Sequence, residues 1–247
     1  MTSIDLNADL GEGDAHDLAL LSVVSSCNIA CGGHVGDAQS MAETVRAAIA
    51  HDVVVGAHPS YPDRDGFGRR SRYAEGSLLF ASLSEQIEAL REIATAEGAI
   101  LTHVKPHGAL YNDAASDKVL AELVVEVIMQ GTDSVSLVGP PASELQQAAG
   151  RHELRFVSEA FVDRVYLPDG TLVPRSEPGA VHHDTNMIST QATGLATAGR
   201  VTAQNGDVIN IAADTLCIHG DTENAYQVAL AVRDVLKANG VEIRAAD

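Results

Sequence analysis

Val53-Val54-Val55-Gly56-Ala57-His58-Pro59-Ser60-Tyr61-Pro62-Asp63-Arg64-Asp65-Gly66-Phe67-Gly68-Arg69-Arg70 decides the fold class. A short β-branched run that empties into His, Pro, Gly and closely spaced opposite charges reads as a buried strand ending in a polar loop. Parallel α/β folds place their chemistry at that position. Arg64, Arg69, Arg70 and Arg72 are four of the chain's 16 Lys and Arg residues, and they fall within nine positions. In a chain of net charge −18 this is a local positive island. Such an island either faces an anion or pairs with Asp63, Asp65 and Glu75 to hold its own loop.

Outward from that stretch, short β-like runs alternate with helical patterns. Ile4–Leu10, Val23–Ile29, Val53–Ala57, Ile100–Val104, Val135–Val138, Leu154–Glu159 and Thr215–Ile218 read as strands. About seven parallel strands with covering helices predict a barrel, incomplete or distorted. Asp37 caps a helix carrying Met41, Val45, Ala48 and Ile49, and Ser82 with Glu85 reads as a capping box before a helix that Gly98 stops. Val119, Leu120, Leu123, Val124, Val127 and Ile128 form a third apolar stripe, and a last helix is expected from about Thr222 to Asn239. The segment 166–214 breaks this rhythm, with Pro168-Asp169-Gly170, Pro178-Gly179 and a turn at Asn205-Gly206-Asp207. It reads as an excursion from a single domain spanning 1–247, holding a hairpin and a helix near Asn186–Ala198.

With 34 acidic against 16 basic residues, the composition argues against nucleic-acid or anionic-membrane partners, because both need a basic face. The opening residues lack a signal-peptide pattern and no run of 18 apolar residues occurs, so a cytoplasmic location is expected. Cys27, Cys31 and Cys217 are an odd number in strand-like runs and fit reduced thiols better than a disulfide framework.

Residues with chemical capability end nearly every strand. The first delivers Asp5, Asn7, Asp9 and Glu12; the second Asn28, Cys31, His34 and Asp37; the third the stretch quoted above, from His58 to Arg70; the fourth His103, Lys105 and His107. The sixth brings Glu159, Asp163 and Arg164, and the seventh His219 and Asp221, while the fifth runs into Gly139-Pro140 with nothing obvious. In a parallel barrel all of these ends share one rim and converge on one pocket. Period-two spacing turns Asp5, Asn7 and Asp9 to one side, the barrel interior, where carboxylates need a cation or several hydrogen bonds. His103 sits deepest in its strand and reads as a hydrogen-bonded core residue. Cys31-x-x-His34 lacks a second ligand pair and is not taken as zinc-binding. Asp9, His58 and His107, from three strands, make an Asp-His-His set that suits a divalent metal.

Taken together, Asp5-Leu-Asn-Ala-Asp-Leu-Gly-Glu-Gly13, Asn28-Ile-Ala-Cys-Gly-Gly-His-Val-Gly-Asp37, Gly56 to Arg70, Val104-Lys-Pro-His-Gly-Ala-Leu-Tyr-Asn112, Glu159-Ala-Phe-Val-Asp-Arg-Val-Tyr166 and Cys217-Ile-His-Gly-Asp221 resemble the LamB/YcsF family, the A subunits of bacterial 5-oxoprolinase. The family pattern around His34 more often reads Phe-His-Ala where this chain has Gly33 and Val35. The resemblance implies a distorted TIM-like barrel related to the glycoside hydrolase/deacetylase superfamily. It also implies a share, with the B and C subunits, in ATP-dependent opening of 5-oxo-L-proline to L-glutamate.

A five-membered lactam is a resonance-stabilised amide, and phosphorylating its carbonyl oxygen makes it a better electrophile. Water attack then needs a base, a proton donor for the leaving nitrogen, and cations for phosphate and substrate carboxylate. The expected roles follow: Asp9 or Glu12 as the base; His58 and His107 shuttling protons or holding a metal; Lys105, Arg69 and Arg70 meeting phosphate or carboxylate. Glu159, Asp163 and Arg164 orient these groups, and Asn7, Asn28, His34, Asp63 and His219 line the substrate or phosphate site. ATP binds with or through the partner subunits, since no Gly-x-x-x-x-Gly-Lys-[Ser/Thr] segment occurs here, and Mg with ATP or a metal at Asp9, His58 and His107 is the inorganic cofactor expected. Two other readings stay open: a metal-dependent amidase or deacetylase acting without ATP, and a non-catalytic lactam-binding accessory subunit.

Overall fold

The structure, a computed structural model, describes residues 2–72, 75–131, 135–220 and 224–246. Along the chain run β1 (Thr2–Leu10), α1 (Asp17–Leu20), β2 (Ser26–Ala30), α2 (Ala38–Ala50), β3 (Val54–His58), α3 (Gly76–Glu97), β4 (Leu101–Val104), α4 (Gly108–Ser116), α5 (Lys118–Gly131), β5 (Ser136–Gly139), α6 (Glu144–Arg151), β6 (Phe156–Phe161), α7 (Thr185–Ala198), β7 (Arg200–Thr202), β8 (Val208–Asn210), β9 (Thr215–Cys217), α8 (Ala225–Ala238) and β10 (Val241–Ile243). Seven strands, β1 to β6 and β9, pair in parallel in that order, and β9 closes back onto β1. The α/β fold is therefore a closed TIM-like barrel of seven strands, as the strand pattern predicted.

Alternation along β1 shows why the sequence folds this way. Leu6, Ala8 and Leu10 are fully buried against the helical layer, while Asp5, Asn7 and Asp9 turn into the lumen. Each fully buried Leu or Ile on the outer face contributes about 1.5–3 kcal/mol. The lumen instead is held by hydrogen bonds and ion pairs.

β1 changes partner at its middle. Thr2 to Ile4 pair with β10, whereas Asp5 to Asn7 pair with β9. The barrel is thus closed in its upper part and parted at its N-terminal end.

Several boundaries differ from expectation for identifiable reasons. Val23 and Val24 are buried but lie in the turn after α1, both donating N–H to the Leu20 carbonyl, so β2 starts at Ser26. Ser82 and Glu85 form no capping box: α3 already begins at Gly76, and the Ser82 hydroxyl accepts from Gln86 one turn on. Val119 leads the third stripe in sequence yet is 79% exposed, at the start of α5. Asp37 caps α2 with a reciprocal Ser40 bond, and Gly98 ends α3 at φ 89°. The excursion contains α7, capped by Asp184, and the β7–β8 hairpin across Asn205-Gly206-Asp207. Asp221 and Thr222 lie outside the described residues, and the last helix is seen from Ala225. Among the described residues no helix is long and apolar enough to cross a membrane. All three cysteines are buried and free.

Candidate active site

The C-terminal rim of the barrel surrounds a charged floor. Lys105, just past β4 and only 2% exposed, places Nζ 2.9 Å from Asp9 Oδ1 and 2.8 Å from Glu159 Oε1, with Cys217 Sγ at 3.3 Å. All three ammonium protons have a partner, so this lysine is a floor strut shared by two carboxylates. Burial alone would strip its proton, but the two acids hold its pKa well above the usual value. Asn28 donates to Asp9 Oδ1 and to Asn7, and Asn7 donates to Glu159. His103 lies beneath, between Asn28 and Thr102, the hydrogen-bonded core residue that its depth in the strand predicted; burial and Lys105 push it down to about 4.

One wall is a cluster of three imidazoles around Glu12. Glu12 Oε1 lies 2.9 Å from His34 Nε2, 3.3 Å from His107 Nδ1 and 3.9 Å from His58 Nε2. Backbone carbonyls fix the tautomers, because a carbonyl only accepts. His58 Nδ1 donates to the Lys105 carbonyl at 2.7 Å, and His107 Nε2 donates to the Phe67 carbonyl at 3.0 Å. His107 Nδ1 is then a bare lone pair, 3.0 Å from His58 Nε2, and His58 must supply the proton between them. His58 is therefore an imidazolium. Burial works against this, but Asp9 Oδ2 at 3.3 Å raises its pKa. Burial would raise Asp9 in turn, yet His58 and Lys105 hold it well below the carboxylate range. Glu12 moves the other way, burial lifting it above its ordinary value. Burial, and next the charge of His58, lower both His34 and His107 to about 3. Their rings stack at 3.7 Å, and buried His34 Nδ1 has no hydrogen-bond partner.

The opposite wall is a dyad. His219, past β9, places Nδ1 2.8 Å from Asp163 Oδ2, and its ring stacks on Phe161 at 5.4 Å. Asp163 is buried, which alone would raise it, but His219 lowers its pKa. Phe161 also faces Lys105 Nζ at 5.4 Å and the edge of Tyr111.

The positive island divides. Arg64 bonds the carbonyls of Gly32 and Gly36, and Arg72 pairs with buried Asp63 at 2.5 Å, so these two arginines and Asp63 hold the loop itself. Arg69 lies 5.1 Å over Phe67 and its charge acts on Glu12 and His34. Arg70 is exposed beside Gly66. Gly68, at φ 62°, lets the loop lie on His107: a Cβ there would sit 2.9 Å from the ring. Arg164 binds the carbonyls of Val173 and Ala180 and anchors the excursion.

Asp9, Glu12, His34, His58, Lys105, His107, Asn7, Asn28 and Glu159 thus form one connected network, with Asp163 and His219 facing it. The described group whose ligand atoms come within 4.8 Å of one another is Glu12, His34 and His107; in the expected Asp9, His58, His107 set, Asp9 is tied to Lys105, Asn28 and His58. Sequence reading missed Phe67, Phe161 and Gln86. Gln86 is a buried α3 residue that clasps Ser60 through both backbone groups, and Gly33 leaves it room, since a Cβ there would lie 2.3 Å from the Gln86 oxygen. Nothing in the spacing of α3 marks one polar residue on its inner face as a partner of the site loop.

Residues 4–247 match the LamB/YcsF family, and the chain belongs to it. Its structure is similar to that of the lactam utilization protein from Thermus thermophilus, at 41% identity and TM-score 0.92, covering 98% of this chain and 99% of that one. More distant likenesses show the fold alone. They include the polysaccharide deacetylase of Bacillus cereus (12% identity, TM-score 0.54, 100% and 93% covered) and the T48 deacetylase with substrate (13%, 0.52, 98% and 87%).

Proposed function

We propose that this member of the LamB/YcsF family is the hydrolytic A subunit of an ATP-dependent 5-oxoprolinase, opening 5-oxo-L-proline to L-glutamate together with B and C subunits. The observation that carries the reading is the pair of facing walls, a carboxylate among histidines and an Asp-His dyad, in a chain 41% identical to a lactam utilization protein. Ring opening of an amide needs a base on one side and an acid on the other.

Two carboxylates pushed apart in pKa take different roles. Glu12, raised by burial, removes the proton from the attacking water, while Asp9, held ionised with both oxygens engaged, stabilises the imidazolium of His58. His58 and Arg69 supply positive charge toward an oxyanion or phosphate on the lactam oxygen. His219, oriented by Asp163 through Nδ1, delivers a proton from Nε2 to the leaving ring nitrogen. Lys105 acts from below by helping to keep Asp9 ionised. ATP is assigned to the complex with the partner subunits.

The test is 5-oxoproline-dependent ATP hydrolysis by this chain alone and with its B and C partners, where turnover is expected only in the combination. No turnover in any combination overturns the reading.

A second reading, a metal-dependent amidase acting without ATP, is favoured by one observation: Glu12 and the two imidazoles of His34 and His107 converge. Glu12, His34 and His107 fit a divalent ion, which would supply Lewis acidity to an amide carbonyl. Metal analysis of the purified protein and a chelator assay separate the two readings.

A further inference from the structure

Two cavities lie at the end of the barrel opposite the rim. Where β1 leaves β9 for β10, a vestibule of about 350 Å³ opens between Asp5, Arg155, Asp214, Arg244 and Ala246. A second cavity of about 260 Å³ shares Asp5, Arg155, Val157 and Ala246 with it and continues up the lumen past Ser26, Thr102 and Ser136 to Asn28 and His103. These last residues are also the underside of the charged floor: Asn28 donates to Asp9 at 2.9 Å, and Asn7, in the same lining, donates to Glu159 at 3.0 Å. One layer of side chains separates the lower lumen from the carboxylates above it.

The lining decides what such a space holds. Apolar cavities of this size stay dry, whereas a polar one of about 260 Å³ has room for several waters at ~30 Å³ each, with two to four partners apiece. Hydroxyls of Ser26, Thr102, Ser136 and Thr215, amides of Asn7 and Asn28, and the Asp5 carboxyl all face it. Its acid is already matched by three hydroxyl donors, Ser25, Ser26 and Thr215, and its cation, Arg155, stands exposed at the end shared with the vestibule, so the deeper lining carries no unmatched charge.

We propose that the lower lumen is a second binding compartment, entered from the N-terminal mouth beside Ala246, which takes water and small uncharged polar molecules and hydrates the underside of the catalytic floor. A ligand seated at the rim then leaves this lower solvent in place, so the floor keeps access to water from below.

The fold offers a clean reporter. The native thiols are all buried, and burial first of all drives Cys27 and Cys31 up to about 12 and Cys217 well above its usual value, so they react slowly. Ser136 lines the lumen and takes no part in the rim chemistry. The variant Ser136→Cys, in the full chain, is treated with methyl methanethiosulfonate, a small neutral reagent. The introduced thiolate attacks the reagent's sulfenyl sulfur, methanesulfinate leaves, and a methyl disulfide remains. Intact mass is expected to show one methylthio group added about tenfold or more faster than on the unsubstituted chain. Adding Ala246→Trp, which narrows the mouth, is expected to slow that labelling by a similar factor. Labelling no faster than the native cysteines, in a protein that labels fully in urea, overturns the compartment; labelling indifferent to Ala246→Trp overturns the route. If thermal melting shows Ser136→Cys unfolded, Thr102→Cys in the same lining takes its place. Because the readout is mass and not turnover, it stands or falls apart from the lactam reading.

Discussion

The upper and lower halves of the lumen are both polar, but they are polar in different ways. The upper half is built from charges in alternation: Lys105 between Asp9 and Glu159, the His58 cation between Asp9 and Glu12. The lower half is built from neutral donors and acceptors, with Asp5 under three hydroxyls and His103 between Asn28 and Thr102. Neutral networks are tolerated in a core when each member is satisfied, whereas buried charges survive only as pairs. The chain concentrates the second, more demanding arrangement where the chemistry is, and underlies it with the first, towards the lower mouth.

The harshest way to break this contrast is Lys105→Met. It leaves Asp9 and Glu159 buried without their cation, and truncating one partner of such a group costs about 3–5 kcal/mol. Urea unfolding at pH 7 is the measurement, and adding Glu159→Gln is expected to recover part of the loss. Asp5→Asn in the lower half keeps a hydrogen-bonding amide under the same hydroxyls and is expected to cost much less. Equal losses from the two variants would erase the distinction between the halves.

His219→Ala tests the wall instead of the floor. Removing a general acid lowers turnover by about 10²–10⁴-fold, and cutting back His219 also takes the partner from buried Asp163, so the variant is expected to melt lower as well. Turnover in the reconstituted complex should fall at a temperature where melting shows the variant still folded. Retained turnover would remove the dyad from the proposed chemistry.

These contrasts mark how far the sequence could be read. Strand ends were legible because alternation and β-branched runs are local, so Asp9, Glu12, His34, His58, Lys105, His107 and His219 could be assigned to one rim from the sequence alone. What those residues do to one another was not. Lys105 reads in sequence as a cation free to meet an anion, yet its neighbours come from β1, β6 and β9, and only their pairing reveals that its protons are taken. The metal-type group is Glu12, His34 and His107 in place of the expected Asp9, His58 and His107 for the same reason, since Gly32 to Gly36 curl back under Arg64 to bring His34 over His107. The switch of β1 from β9 to β10, which opens the lower mouth, rests on three-residue strands too short to carry a periodic signal.

Acid separates the halves more gently. His34 and His107 at about 3, and His103 at about 4, have native pKa values below the 6.5 of a free histidine. Their contribution to stability is whole above pH 6.5 and is lost as pH falls toward those values, because the unfolded chain then binds protons that the native chain refuses. His58 is raised, so its contribution is present below 6.5 and is lost as pH rises through its native value. The part of the stability that His34, His107 and His103 carry is expected to fall from pH 7 to 5, measured by urea titration at each pH. His103→Gln, in the lower half, should reduce that slope by one proton, about 1.4 kcal/mol per pH unit. An unchanged slope would mean that His103 titrates normally and that the lower half is not the neutral hydrogen-bonded network described.

The smallest expected effect lies outside the lumen and sets its baseline. Asp37 is exposed, caps α2 through Ser40, and shares no hydrogen bond with any residue of the charged floor. Asp37→Ala removes one capping bond and is expected to lower stability slightly. Its carboxyl holds a lowered pKa, chiefly through the Ser40 amide, so the stabilisation is present at neutral pH and fades as pH falls through that lowered value. Urea unfolding at pH 7 should show the loss, with turnover of the reconstituted complex within about twofold of the unsubstituted chain, since losing one exposed cap at a helix end leaves the folded population essentially complete. A large fall in turnover would instead tie the α2 cap to His34, three residues before it, and would extend the site's rigid frame from the barrel floor into the helical layer.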